Sequence, residues 1–81
     1  MKPKLTEKQV ELLQYLLNKK EEGINPTYEE IFEKFSKRIY APPLNSLRHH
    51  GIVRGEFYHD EKWYITSEGL KYLSRWGKKY R

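Results

Sequence analysis

The chain has no cysteine, which excludes a disulfide framework, a thiolate metal site and a cysteine nucleophile. No apolar run comes near the ~20 residues that a membrane-spanning helix needs. Met1-Lys2-Pro3-Lys4 is not followed by the apolar core of a signal peptide. At 81 residues the chain is long enough for one domain with a modest core. We therefore expect an intracellular, cytoplasmic protein of one domain, associated with the nucleoid if its source is a cell.

Catalytic motifs are also missing. The sequence has no phosphate-binding glycine loop, no nucleophile elbow and no carboxylate pair placed by a recognisable motif. His49 and His50 are adjacent, so on a helix their side chains point about 100° apart and cannot readily chelate one metal ion. The sequence predicts a protein that is not an enzyme and that uses neither a cofactor nor a metal.

Acidic residues are scarce in the second half of the chain. Residues 1–35 carry six lysines and seven acids, giving −1, whereas residues 36–81 carry ten lysines and arginines and four acids, giving +6. Such an asymmetry is typical of a protein that binds a polyanion, usually a nucleic acid, although a merely solubilising surface has the same composition. The Lys- and Glu-rich, cysteine-free composition also suits a thermophilic source, archaeal or viral.

Two capping boxes predict the first two helices. Thr6-Glu7-Lys8-Gln9 and Thr27-Tyr28-Glu29-Glu30 each place a hydroxyl before the helix and Gln or Glu three residues later. Each is followed by apolar residues at helical spacing. We expect helix one over 5–23, ended by Gly23, and helix two over 27–38.

The third helix and a hairpin follow. Proline fits only the first turn of a helix, so Pro42-Pro43 predicts a short helix over 43–50, ended by Gly51. Two runs rich in strand formers, joined by the polar turn 59–62, predict a β-hairpin over 52–66. Thr66-Ser67-Glu68 offers a cap for a last helix over 67–76, and 77–81 is a basic tail.

The order α-α-α-β-β-α makes the fold mainly α with a small β-hairpin, and three segments resemble the winged helix-turn-helix superfamily. Residues 23–31 (GINPTYEEI) resemble the G-x-x-P-T-x-x-E-I entry to the second helix of SOS-repressor-type DNA-binding domains. Leu44, Leu47 and 51–53 (GIV) resemble the end of the reading helix in winged-helix repressors. Residues 65–70 (ITSEGL) are similar to the segment after the wing in MarR-type and PadR-type regulators.

The resemblance implies an interface for double-stranded DNA. The positions of the third helix that point away from Leu44 and Leu47 would enter the major groove, where Asn reads adenine and Arg reads guanine. The base-reading residues would then be Asn45, Arg48 and His49. The backbone contacts would be Lys37, Arg38, Tyr40, Ser46, Arg54 and Lys62.

The expected function is a sequence-specific DNA-binding protein, a transcriptional regulator. One alternative is a winged helix that docks proteins inside a larger assembly, which would gain if Arg38 and Arg48 were paired internally with acids. Another is binding of RNA or single-stranded DNA by hairpin aromatics that face outward. Phe57, Tyr58, Trp63 and Tyr64 alternate along the hairpin, so one of each neighbouring pair should face the core. The spare aromatics Tyr72, Trp76 and Tyr80 are the candidate surface for a homodimer.

Overall fold

The computed structural model describes residues 4–35, 37–56, 58 and 60–77, and among these the side chains of all but 37–42. The expected order of elements is confirmed within these ranges, and the mainly helical chain with its small antiparallel hairpin is compatible with a winged helix. The elements are α1 (Glu7–Glu21), α2 (Tyr28–Lys34), α3 (Lys37–His49), β1 (Val53–Arg54), β2 (Tyr64–Ile65) and α4 (Ser67–Gly77).

Both predicted capping boxes are present. The Thr6 hydroxyl accepts from the Gln9 amide at 3.2 Å, and the Gln9 side chain accepts from the Thr6 amide at 3.0 Å. Thr27 and Glu30 make the same reciprocal pair at 3.2 and 3.3 Å. Each box therefore satisfies two donors that a helix start leaves without a partner inside the helix.

Glycine ends α1 and α3 as predicted. Gly23 and Gly51 have φ of +78° and +73°, a conformation that glycine adopts without a Cβ clash. After Gly23 the Ile24 amide donates to the Lys19 carbonyl at 2.8 Å. After Gly51 the Ile52 amide donates to the Leu47 carbonyl at 2.9 Å. Each glycine thus turns the chain sharply, and the second turn leads directly into the hairpin.

The expected bounds of the second and third helices were wrong. Helix two was expected to reach residue 38 and helix three to begin at residue 43, but α2 ends at Lys34 and α3 begins at Lys37, with Pro42 and Pro43 inside it. The prolines remove two backbone donors, but α3 packs against α1 and α2, and the Gln9 side chain donates to the Pro43 carbonyl at 3.4 Å. Such tertiary packing, more than local preference, decides which helices persist in a folded protein.

The hairpin is short, and a third segment of the chain pairs with its second half. Val53 pairs with Ile65 and Arg54 with Tyr64 in antiparallel register. On the other side of the second strand, Thr27 forms a bridge with Lys62, and the Trp63 amide donates to the Pro26 carbonyl at 2.8 Å. The segment before α2 therefore fixes one edge of the hairpin.

The core lies where α1 meets α3, α4 and β2. The Trp63 side chain is fully buried there, and Gly55 lies against its indole ring. The predicted cap of α4 is present, since the Gly69 amide donates to the Thr66 hydroxyl at 3.0 Å, although α4 extends one residue further than expected, to Gly77. Among the described residues, no helix is long and apolar enough to cross a membrane. The predicted basic tail falls, apart from Gly77, outside the described residues.

Candidate nucleic-acid interface

The second half of α3 has one buried and one exposed face. Leu44 and Leu47 are buried in the core. Asn45 and His49, one turn apart, are exposed, and Ser46 is half-buried. This part of the helix therefore presents polar side chains to solvent, as the resemblance implies for a reading helix.

Arg48, expected among the base readers, is engaged within the molecule. Its Nε donates to the Gly55 carbonyl at 2.8 Å, and its Nη2 donates to both carboxylate oxygens of Glu56 at 2.9 Å. The Arg48 side chain is 37% exposed and that of Glu56 is 52% exposed. Its role in base reading stays a prediction, but the guanidinium is held against the hairpin in this structure.

Two basic side chains of the hairpin face solvent. Arg54 lies on β1 opposite Tyr64, and Lys62 lies at the bridge to Thr27. Both side chains are exposed, and neither has an ion-pair partner among the described residues. The register explains the exposure of Arg54, because its neighbour Val53 points into the core and successive side chains of a strand alternate.

A cleft of about 470 Å³ separates the end of α3 from the hairpin. Four of the predicted site residues line it together, namely Arg48, His49, Arg54 and Lys62. Asn45 and Ser46 do not line it, and the side chains of Lys37, Arg38 and Tyr40 lie outside the described part of the chain. Because Glu56 and Glu61 also line the cleft, its charge is mixed rather than uniformly basic.

The sequence interpretation missed Glu56 and Gly55 as partners of Arg48. A weak signal was available, since Arg48 follows Leu44 by four residues and so lies on the flank of the buried face, beside whatever the chain brings back after Gly51. The partner of Arg48 could not be predicted from the sequence, because it depends on how the hairpin folds over the helix.

Among the described residues of the hairpin, the exposed aromatic side chains are Tyr58, 69% exposed, and Tyr64, 40% exposed. Trp63 faces the core, so the expected division of Trp63 and Tyr64 between core and solvent is confirmed. Phe57 lies outside the described residues, as do His59 in the predicted turn and Tyr80 of the predicted dimer surface.

The other aromatics of the predicted dimer surface, Tyr72 and Trp76, are partly buried and pack against the protein's own core. Arg75 also lies over the ring of Trp76, at 5.6 Å from its centroid. Much of their aromatic surface is therefore used within the molecule.

Two tyrosines outside the cleft have raised pKa values. Burial, followed by the negative charges of Glu30 and Glu22, raises the pKa of Tyr15 above its ordinary value of 10.0. Burial raises the pKa of Tyr28 as well. In the part of the chain that the structure describes, no three His, Asp or Glu side chains are grouped closely enough to hold a metal ion.

Comparison with models of protein families, with curated proteins and with solved structures finds no match to this chain. The function must therefore be inferred from the geometry of the interface itself.

Proposed function

We propose that this protein is a winged-helix regulator that binds double-stranded DNA through the second half of α3 and the adjoining hairpin. The observation that carries the proposal is the cleft that His49 of α3 lines together with the exposed basic residues Arg54 and Lys62 of the hairpin. A duplex lying along this surface would meet a polar helix face and flanking cations at the same time. This is the combination that reads bases and holds phosphates.

In this mechanism the side chains divide into two groups. Asn45 and His49 are exposed on one face of α3 and would contact base edges in the major groove. Arg54 and Lys62 would contact backbone phosphates, which fix the register of the protein on the duplex without reading its sequence. Asp60, exposed at the hairpin turn, argues against deep insertion of the tip between phosphates.

The testing experiment is fluorescence anisotropy with a random-sequence 30-mer duplex and with its single strand, each over a salt series. We expect tighter binding to the duplex, with log K falling by about 0.9 per decade of salt for each phosphate contacted. Tighter binding to the single strand would instead favour stacking on Tyr58 and Tyr64, the exposed aromatics of the hairpin. Absence of binding to either at low salt would contradict the proposal.

A charge-matched pair of variants separates the cleft from general electrostatics. Lys62→Gln should weaken duplex binding and lower the salt slope by about 0.9, the loss of one phosphate contact. Lys8→Gln removes the same charge from an exposed position in the first turn of α1, outside the cleft, and should change the slope less. Equal effects of the two variants would mean that the cleft is not the contact surface.

Sequence specificity needs its own measurement. Rounds of selection from a random duplex library should enrich one short sequence, because base contacts discriminate between bases whereas phosphate contacts do not. If the protein binds duplex DNA but the selection enriches no sequence, the proposed sequence specificity is wrong and the binding is nonspecific.

One observation favours a second function, docking of a protein partner. Arg48 is paired with Glu56 instead of facing outward, which removes one of the best base-reading candidates from the free surface. If duplex binding fails at low salt, this surface of mixed charge becomes the candidate protein interface.

A further inference from the structure

The ion pair between Arg48 and Glu56 lies at the wall of the cleft that the proposed function assigns to DNA. Glu56 holds the guanidinium with both of its carboxylate oxygens, each 2.9 Å from Nη2. A phosphodiester offers a guanidinium the same arrangement, two anionic or polar oxygens on one centre. The carboxylate therefore occupies the place that a backbone phosphate would take on the same nitrogen.

We propose that the cleft is a binding site for a backbone phosphate and that Glu56 is a built-in competitor for it on Arg48. This inference rests on the proposed function. In the free protein Arg48 is neutralised by Glu56, and on a duplex a phosphate competes with the carboxylate for Nη2, so that it contacts Arg48 in only part of the complexes while Nε keeps the Gly55 carbonyl, 2.8 Å away. Glu56 would then weaken binding to every duplex, because the carboxylate must give way before a phosphate can bond to Arg48.

Exposure and neighbouring charges make this exchange feasible. Both partners of the pair are more than a third exposed, so the pair is screened by water and an incoming anion can compete for it. Among the described residues, the other charged or titratable groups that line the cleft are His49 on α3, Arg54, Lys62 and Tyr64 on the hairpin, and Glu61 before β2. Once Glu56 moves away, Arg54 and Lys62 remain in the same cleft as Arg48 to attract a phosphate.

The measurement is duplex affinity and its salt slope for Glu56→Gln, using the random-sequence 30-mer. Because an exposed ion pair is weak, we expect tighter binding by about two- to fivefold. The salt slope should become steeper by up to about 0.9, because the phosphate contact of Arg48 then forms in every complex instead of in part of them. The midpoint of thermal unfolding should fall by less than about 8 °C, as expected for the loss of one exposed pair from a domain of this size.

Two controls separate release of Arg48 from a change in net charge. Glu61→Gln removes the same charge from the same cleft without breaking an ion pair among the described residues, so it should tighten binding less and leave the slope nearly unchanged. In an Arg48→Gln background, Glu56→Gln should lose its effect on the slope, because no guanidinium is left to release.

The outcomes are distinguishable. If the wild type binds the duplex and Glu56→Gln and Glu61→Gln increase the affinity equally, Glu56 does not compete with phosphate for Arg48. That result would overturn this inference and leave the proposed function intact. Weaker binding by Glu56→Gln with a large fall in the unfolding midpoint would make the pair a structural support for the hairpin, which also overturns it. Absence of duplex binding in every variant would overturn the proposed function and this inference together.

Discussion

Replacing Gly69 with alanine should destabilise the protein, although alanine is the better helix former. Gly69 lies in the first turn of α4, where helix propensity alone would favour alanine by up to about 1 kcal/mol. A Cβ at this position, however, would overlap the backbone carbonyl oxygen of Ile52 and lie 2.7 Å from Cγ1 of Ile65. The two effects have opposite signs, so the sign of the measured change decides which one dominates.

The carbonyl of Ile52 has little freedom to move away. It accepts the Thr66 amide at 3.0 Å and the Thr66 hydroxyl at 2.9 Å, and these bonds fix the start of α4 against the end of α3. Alanine must therefore push α4 outward or break these bonds. Overpacking of this kind costs about 1–3 kcal/mol, which exceeds the benefit in helix propensity. We expect Gly69→Ala to lower the midpoint of thermal unfolding, by about 4–8 °C for each net kcal/mol lost.

Urea unfolding followed by circular dichroism measures the difference, and Gly77→Ala is the matched control. Gly77 ends the same helix, and a Cβ there would meet only Cδ1 of Leu73 at 3.6 Å, an ordinary contact. Gly77→Ala should therefore range from neutral to about 1 kcal/mol more stable. The reasoning is refuted if Gly69→Ala matches or exceeds the wild type in stability with an unchanged dependence on urea.

Two further predictions concern stability. Thr27→Ala should lower the free energy of unfolding by about 1 kcal/mol, because it removes the cap of α2. Thr27→Ser keeps the hydroxyl and should keep most of the stability. Equal losses of stability in the two variants, measured by urea unfolding, would argue against the cap. The raised pKa of Tyr15 means that the unfolded chain loses this phenolic proton first. The free energy of unfolding should then be fully retained below pH 10.0 and fall as the pH rises through the folded-state pKa. Tyr15→Phe should flatten that fall in an alkaline unfolding series, and an unchanged fall would assign it to other groups.

The elements that the sequence predicted well are those whose signals are local. A capping box needs only the four residues from Thr6 to Gln9, because its two hydrogen bonds close within one helical turn. The ends of α1 and α3 are equally local, since only glycine readily takes the positive φ found at Gly23 and Gly51. No contact distant in sequence is needed to place these boundaries.

The start of α3 could not be predicted in this way. Pro42 and Pro43 lack the amide hydrogen that a helix interior uses, so local rules placed them in the first turn. The observed helix runs from Lys37, and its packing partners α1 and α2 come from earlier in the chain. The boundary is therefore set by tertiary packing, which a rule about neighbouring residues does not contain.

Part of the lining of the cleft was predicted from the sequence, but the pairing of Arg48 was not. The helix and the hairpin that line the cleft were both expected, and four of its lining residues, Arg48, His49, Arg54 and Lys62, were among the predicted site residues. The carboxylate of Glu56 was not expected to hold Arg48, because eight residues and a reversal of chain direction separate them. Helical periodicity predicts the direction in which the Arg48 side chain can point, but only the tertiary structure shows which residue it contacts.

The charge balance of the cleft changes how the basic second half of the chain should be understood. At the cleft and the hairpin turn, three basic side chains are balanced by three acidic ones: Arg48, Arg54 and Lys62 against Glu56, Asp60 and Glu61. The +6 of residues 36–81 is therefore carried by residues other than these six, and half of it by the last four residues. Under the proposed function, long-range attraction to DNA and recognition at the cleft would therefore be carried by different residues, since attraction depends on net charge and recognition on placed groups. Of the three cations at this surface, Arg48 alone is paired with an acid among the described residues. Its proposed bond to a phosphate therefore depends on the release of the guanidinium by Glu56 and not on the net charge of the chain.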